Sequence, residues 1–182
     1  MRLFIGLQPS VALRQQLAKA LAPLTATRAI SWVPAENFHF TLAFLGEIEE
    51  TAIPAIRAAM DCLANFRRFE IELATTIDTF PHWGKPRVLW LGLKEDEKSM
   101  NALQRSLAIA LKEQGFDLDQ RFHPHLTIGR VRRAPASATV KRWQAWRGPV
   151  LCDTIGDVIL FASQLKPTGA VYSTLHKQEF SV

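Results

Sequence analysis

Two short stretches, HFTL at His39–Leu42 and HLTI at His125–Ile128, carry one pattern of histidine, apolar residue, threonine and apolar residue, far apart in the chain. Imidazole titrates close to neutrality, so two histidines can divide a phosphoester reaction between them. The neutral one takes a proton from the attacking oxygen, and the protonated one gives a proton to the leaving oxygen. Threonine hydroxyls can donate hydrogen bonds to the non-bridging phosphate oxygens, where charge gathers in the transition state. This chemistry needs no metal. The sequence also lacks the donor spacings of a metal site: it has no H-E-x-x-H, no C-x-x-C and no carboxylate cluster beside either motif. Neither a metal nor a cofactor is expected. A single H-x-T in a strand is more often a packed or surface pair than a site, so the weight rests on two copies in matching contexts.

A strand sends alternate side chains to opposite faces. His39 and Thr41 then share one face, with Phe40, Leu42 and Phe44 packing the other; His125 and Thr127 share a face backed by Leu126 and Ile128. Each motif presents one imidazole and one hydroxyl from a strand anchored in a core. Strict alternation from His125 sends Arg130 to the far face, and Gly129 is where a bulge would re-aim it. His123 has the parity of His125, but Pro124 and the lack of further ligands favour a structural or orienting role over a metal pair. Trp83 falls with His82 in a loop, where stacking on a base is one reading and burial of the lobe edge the expected use; Trp143 and Trp146 are expected to pack a short basic helix. His176 has no motif around it.

Around the motifs, apolar runs alternate with helical periods. RLFIGL reads as a strand, and Ser10 caps a helix carrying Leu13, Leu17, Ala20, Leu21 and Leu24 on one face. FHFTLAFLG is a strand closed by Gly46, and residues 49–65 form a helix with Pro54 in its first turn. RFEIELATTIDTF reads as one strand joined through PHWGKP to the strand RVLWLGL. In the second half, SMNALQRSLAIALKEQG is a helix stopped by Gly115, HLTIGRV is a strand, SATVKRWQAW is a short helix capped by Ser137, and TIGDVILFAS and AVYSTLHKQEF are closing strands. Matched element order and matched motifs predict an α+β fold. Residues 1–182 are expected to form a single domain of two pseudo-symmetric lobes, each an antiparallel sheet with helices on its outer side and one H-x-T-x motif.

The net charge of +5 is unevenly placed. Arg121, Arg130, Arg132, Arg133, Lys141, Arg142 and Arg147 fall between positions 121 and 152 with no Asp or Glu among them, and the cations left elsewhere are fewer than the 17 acids. Such a field attracts a polyanion or a phosphorylated small molecule. With only Cys62 and Cys152, and with no charged-then-apolar leader, the chain reads as cytoplasmic with reduced thiols. It holds no apolar run of membrane-spanning length, so no membrane partner is expected. Nothing calls for an obligatory protein partner, and a monomer is expected.

The stretches WVPAENFHFTLAFLGEI (32–48), PRVLWLGL (86–93) and RFHPHLTIGR (121–130) resemble the RNA 2′,3′-cyclic phosphodiesterases of the 2H phosphoesterase superfamily, formerly called 2′-5′ RNA ligases. The likeness runs from RLFIGL to the closing strand around Tyr172, and the Phe-His-Pro-His lead into the second motif is its most specific part. The resemblance implies a bilobed α+β fold with the motifs facing each other across a cleft. It implies metal-free hydrolysis of RNA 2′,3′-cyclic phosphate termini to 2′-phosphomonoesters. It assigns His39 as proton donor to the departing 3′ oxygen and His125 as proton acceptor, with Thr41, Thr127 and Arg130 on the substrate phosphate. Some members also join tRNA half-molecules through a 2′-5′ linkage. The residues alone support the histidine pair without saying which is acid and which is base. They leave open two alternatives: a relative acting on a small cyclic nucleotide, and a non-catalytic RNA-end binder.

Overall fold

The computed structural model describes all residues except 28, 95, 96, 119–121, 168 and 182; Arg121, counted in the basic segment above, therefore lies outside the described residues. In chain order the elements are β1 (Arg2–Leu7), α1 (Val11–Leu21), β2 (Ile30–Trp32), β3 (Phe40–Glu47), α2 (Ile53–Asp61), β4 (Phe69–Glu72), β5 (Asp78–Phe80), β6 (Val88–Leu91), α3 (Glu97–Glu113), β7 (Leu126–Val131), α4 (Ser137–Ala145), β8 (Cys152–Ile155), β9 (Asp157–Lys166) and β10 (Gly169–Glu179). The fold is α+β. One large antiparallel sheet runs β10-β9-β1-β3-β7-β6-β5 with β2 beside β7, and β4 pairs with β8 in a separate ribbon.

The large sheet has two wings that meet at a single described pair, Phe40 opposite Leu126 in an antiparallel bridge between β3 and β7. The wings are not the two halves of the chain. β9 and β10, from the C-terminal end, complete the wing of β1 and β3, while β2, from the N-terminal half, pairs with β7. Helices supply one continuous core on one face of the sheet. Leu13, Leu17 and Leu21 of α1, Ile56 and Met60 of α2, and Met100, Leu103, Leu107 and Leu111 of α3 pack with Leu3, Ile5, Leu7, Phe40 and Leu126. Each wholly buried aliphatic side chain stabilises the fold by about 1.5–3 kcal/mol relative to exposure. A smaller apolar cluster of Phe4, Ile159 and Phe161, with Tyr172 against it, lies apart from that core. Its members alternate with the core residues along β1 and β9 and so mark the opposite face.

Several expectations from the sequence hold in detail. The Ser10 hydroxyl accepts from Leu13 N–H at the start of α1, Pro54 stands in the first turn of α2, and Gly115, with φ +87°, follows the end of α3. Others do not. RFEIELATTIDTF is two strands in different sheets, because Leu73 N–H bonds to Leu151 and Ala74 N–H to Gly92, turning the chain between β4 and β5. TIGDVILFAS is likewise divided at Gly156 between β8 and β9. Ser137 is the first residue of α4 rather than its cap, and the cap position is Ala136, without a side-chain bond. Trp143 is 1% exposed and Trp146 donates its indole N–H to Ala20, so both pack as expected.

Gly6 shows how closely this scaffold holds the first motif. A Cβ on Gly6 would lie 2.7 Å from the Phe40 carbonyl oxygen, a backbone atom, and 3.5 Å from Cδ2 of His39. A Gly6→Ala chain must push β1 away from β3 beside the histidine. We expect a loss of about 1–3 kcal/mol in urea unfolding, in line with other overpacked sites, together with loss of turnover. A variant with the parent's midpoint and rate would show that this contact is not limiting.

Candidate active site

The two motifs sit in local structures that match residue by residue. Along Phe40–Leu45 and Leu126–Val131 burial follows one sequence: buried, half-buried, buried, buried, exposed, half-buried. Each strand also carries an irregularity at the fourth motif residue. Between Ile5 and Gly6 of β1 the partner strand steps from Ala43 to Thr41, leaving Leu42 extra. Between Leu89 and Trp90 of β6 it steps from Gly129 to Thr127, leaving Ile128 extra. A one-residue bulge of this kind reverses the alternation beyond it.

The bulges revise two readings made by strict alternation. Arg130 pairs with Val88 while Thr127 pairs with Trp90, and Val88 and Trp90 share a face, so Arg130 lies on the face of Thr127. By the same step Phe44 pairs with Phe4 while Thr41 pairs with Gly6. Phe44 is therefore not a core residue behind His39. It stands on the motif face, 54% exposed, with the Arg2 guanidinium 4.9 Å above its ring. Phe44 and Arg130 occupy equivalent positions, three residues after the motif threonines.

The antiparallel bridge at Phe40 and Leu126 sets the motifs head to tail. Moving along the strands in opposite directions, His39 comes beside Thr127 and Thr41 beside His125. Both imidazoles are held in the same way. His39 Nδ1 lies 2.7 Å from the Asn37 carbonyl oxygen and His125 Nδ1 lies 2.8 Å from that of His123. A carbonyl oxygen only accepts, so each Nδ1 carries the proton and each Nε2 is the nitrogen left for chemistry. Nε2 of His39 is 3.0 Å from the Thr41 hydroxyl. His123 thus contributes its backbone to the orientation of its neighbour, and its ring packs against Trp90 at 4.9 Å.

Aromatic rings wall both histidines. His39 lies 4.8 Å from Phe4 and 5.3 Å from Tyr172 between ring centres, and His125 lies 5.1 Å from Phe80 and 6.0 Å from Trp90. Desolvation by these neighbours opposes a charged imidazole. Burial above all holds the His39 pKa down to about 4, against the raising effect of the Asn37 hydrogen bond, and the charges of His125 and Arg130 press it further. Burial also lowers His125, opposed by its bond to His123, with His123 and Arg130 adding to the lowering. The Tyr172 phenol is pushed up by burial and drawn back by Arg130 and Arg2. Arg130 therefore acts on groups of both wings. Among the described residues, no three of His, Cys, Asp and Glu gather as metal ligands.

Of the residues singled out by sequence, His39, Thr41, His125, Thr127 and Arg130 come to one face. His82 and Trp83 stand apart in the β5–β6 loop, where Trp83 packs against the core and His82 accepts from Gly84 N–H. His176 is half-buried on β10, and among the described residues its Nε2 has no hydrogen-bond partner. Sequence reading missed the aromatic walls and Phe44. The parity of Phe4 with Gly6 was legible, but its proximity to His39 needed the β1–β3 register.

Comparison with known proteins follows the same lines. The model of the 2′-5′ RNA ligase superfamily matches residues 14–155, a span that includes both motifs, and the chain belongs to this family. It is 34% identical over 176 residues, 96% of this chain and 98% of the relative, to an Archaeoglobus fulgidus protein named RNA 2′,3′-cyclic phosphodiesterase. A Thermotoga maritima protein of the same name is 30% identical over 188 residues, covering 99% of this chain and 96% of that one. Among solved structures, a Thermus thermophilus protein superposes with a TM-score of 0.81 at 30% identity over 98% of this chain and 97% of that one. Escherichia coli LigT complexed with 3′-AMP shares the fold, with a TM-score of 0.83 at 23% identity over 100% and 98% of the two chains.

The histidine environment has a measurable signature. In a proton NMR titration of the free protein, we expect the His39 ring to titrate near pH 4 and His125 below the ordinary value of about 6.5. Arg130→Ala should raise both midpoints; unchanged midpoints would place the guanidinium away from the pair. The unfolded chain binds a proton at His39 that the folded chain refuses, so stability is lost as pH falls from 6.5 towards 4, by up to about 3 kcal/mol. A His39→Asn variant should lose less over that window.

Proposed function

We propose that this protein hydrolyses RNA 2′,3′-cyclic phosphate termini to 2′-phosphomonoesters by two-histidine acid–base catalysis without a metal. As a member of its family it is a hydrolase of phosphodiester bonds. The observation that carries the finer reading is the bridge of Phe40 with Leu126, which sets two backbone-anchored imidazoles and two threonine hydroxyls head to tail on one face. The names of the relatives supply the substrate class.

In this reading His125 Nε2 accepts a proton from water as the water oxygen attacks phosphorus. The bond from phosphorus to the 3′ oxygen breaks, and that oxygen takes a proton from His39 Nε2. Thr41 and Thr127 donate hydrogen bonds to the non-bridging oxygens, and Arg130 balances their charge. A histidine held near pKa 4 is a poor reservoir of protons in the free protein. The anionic phosphate supplies the missing stabilisation, since a negative charge beside an imidazolium raises its pKa. Substrate binding therefore arms the acid. Among the described residues no three of His, Cys, Asp and Glu gather at the pair, and the Asn37 and His123 carbonyls are taken up by the imidazoles. Exposed Phe44, backed by Arg2, presents an aromatic face of the kind on which nucleobases stack.

All 182 residues are expected to work as one domain, because each wing borrows strands from the other end of the chain. A 5′-hydroxyl RNA end in place of water would give a 2′-5′ linkage by the same displacement, its oxygen attacking phosphorus as the 3′ oxygen leaves.

The assay is conversion of a 2′,3′-cyclic nucleotide in excess chelator, read by phosphorus NMR. We expect the 2′-monophosphate as sole product, and a drop in kcat of about 10²–10⁴ for His39→Ala and for His125→Ala. Full activity of the double variant would sink the mechanism, whereas a 3′-monophosphate product would overturn the leaving-group assignment alone.

A further inference from the structure

Beyond Arg130 the chain leaves β7 through Val131, Arg132 and Arg133, and its backbone is fixed there. The N–H groups of Arg132 and Arg133 both donate to the Ala29 carbonyl, at 2.8 and 3.2 Å. Facing them is the β5–β6 loop, pinned by Lys85 N–H on His82, Arg87 N–H on Phe80 and Val131 N–H on Arg87, at 2.8–3.0 Å. Between the two segments lies a cavity of about 280 Å³, near the lower end for sites that hold one small ligand group. Its walls include Trp83, Lys85, Arg87, Arg132 and Arg133 and contain no acidic residue.

The four cations are exposed, and among the described residues no ion pair or side-chain hydrogen bond engages any of them. Other cations of the basic segment are occupied differently: Arg142 donates to the Pro23 carbonyl and Arg147 to those of Gln144 and Trp146. Four like charges around one small cavity repel one another, and an anion placed there relieves that repulsion. Thr127 and Arg132 are five residues apart, about 16 Å of extended strand. A single-stranded RNA whose last phosphate lies at Thr127 and Arg130 can reach the cavity within a few nucleotides.

We propose that this cavity is a subsite for the phosphodiester backbone of single-stranded RNA upstream of the reacting end. The proposal rests on the reading of Arg130 and the motif face as the site of the terminal phosphate. RNA is favoured over an acidic protein by that continuity and by the Trp83 ring in the wall, which suits a ribose or base edge. The consequence is substrate selection: the cavity makes an RNA end a better substrate than a cyclic mononucleotide, although both present the same scissile group.

The test compares the parent with an Arg132→Ala/Arg133→Ala double variant on two substrates, a 2′,3′-cyclic mononucleotide and a six-nucleotide RNA ending in the same group. We expect the parent to favour the oligonucleotide in kcat/KM by about tenfold or more at low salt. The double variant should lose most of that preference while keeping its mononucleotide rate within about twofold, which also reports an intact fold. A variant that keeps the full preference overturns the proposal. In parallel, fluorescence anisotropy with a labelled six-nucleotide RNA measures binding at several salt concentrations. Removing two phosphate contacts should reduce the slope of log K against log salt by about 1.4, and an unchanged slope overturns the subsite. If the parent hydrolyses neither substrate, the catalytic reading fails by itself and the anisotropy slope still decides the cavity.

Discussion

One backbone bridge, Phe40 with Leu126, is the constraint on which the candidate site depends. Both side chains are wholly buried against the helical core, so the pair can move only with that core. Because the strands are antiparallel there, burying one apolar pair places both motifs on the opposite face with their order reversed. Each histidine then comes beside the threonine of the other motif. A four-residue pattern written twice becomes a two-sided candidate site through strand pairing alone, with no loop required to bring the motifs together.

The same packing that positions the imidazoles makes them costly to charge. Phe4, Phe161 and Tyr172 on one side and Phe80 and Trp90 on the other remove water from the rings, and Arg130 adds positive charge to both. In the absence of an anion the pair rests neutral. In the proposed function a bound phosphate offsets these effects without restoring the water, because it balances the Arg130 charge and attracts an imidazolium. In that reading binding and activation are one electrostatic event, and a bound ligand without negative charge would not produce it. The aromatic walls would belong to that mechanism as much as the histidines do.

The bulges at Leu42 and Ile128 are the second device of the fold. Without them Phe44 and Arg130 would point into the helical core, where a guanidinium is expensive to bury. With them, both stand on the motif face at equivalent positions, one an arginine and the other an aromatic ring backed by Arg2. The two wings are alike in backbone and different in what they present. In the proposed function a common geometry for proton transfer is thereby combined with unlike neighbours, one for phosphate and one for base. Gly129 fits its place in this scheme, since a Cβ there would run into the Ile30 side chain from the neighbouring β2.

The amino-acid sequence alone pointed to the family and carried most of the elements. Period-2 and period-3.6 patterns are local, so the capped helix after Ser10, the stop at Gly115 and the shared face of each His-x-Thr pair were legible without coordinates. Tertiary structure decided what depends on partners distant in the chain. Alternation cannot show an extra residue until the neighbouring strand supplies the count, which is why it puts Phe44 in the core and leaves the side of Arg130 to an inferred bulge. Nor can it show that β9 and β10 return to join β1, or that RFEIELATTIDTF divides between two sheets, since those outcomes follow from competition for backbone hydrogen bonds across the whole fold. The desolvation of His39 is of the same kind. Its rings come from β1, β9 and β10, and only their convergence lowers its proton affinity.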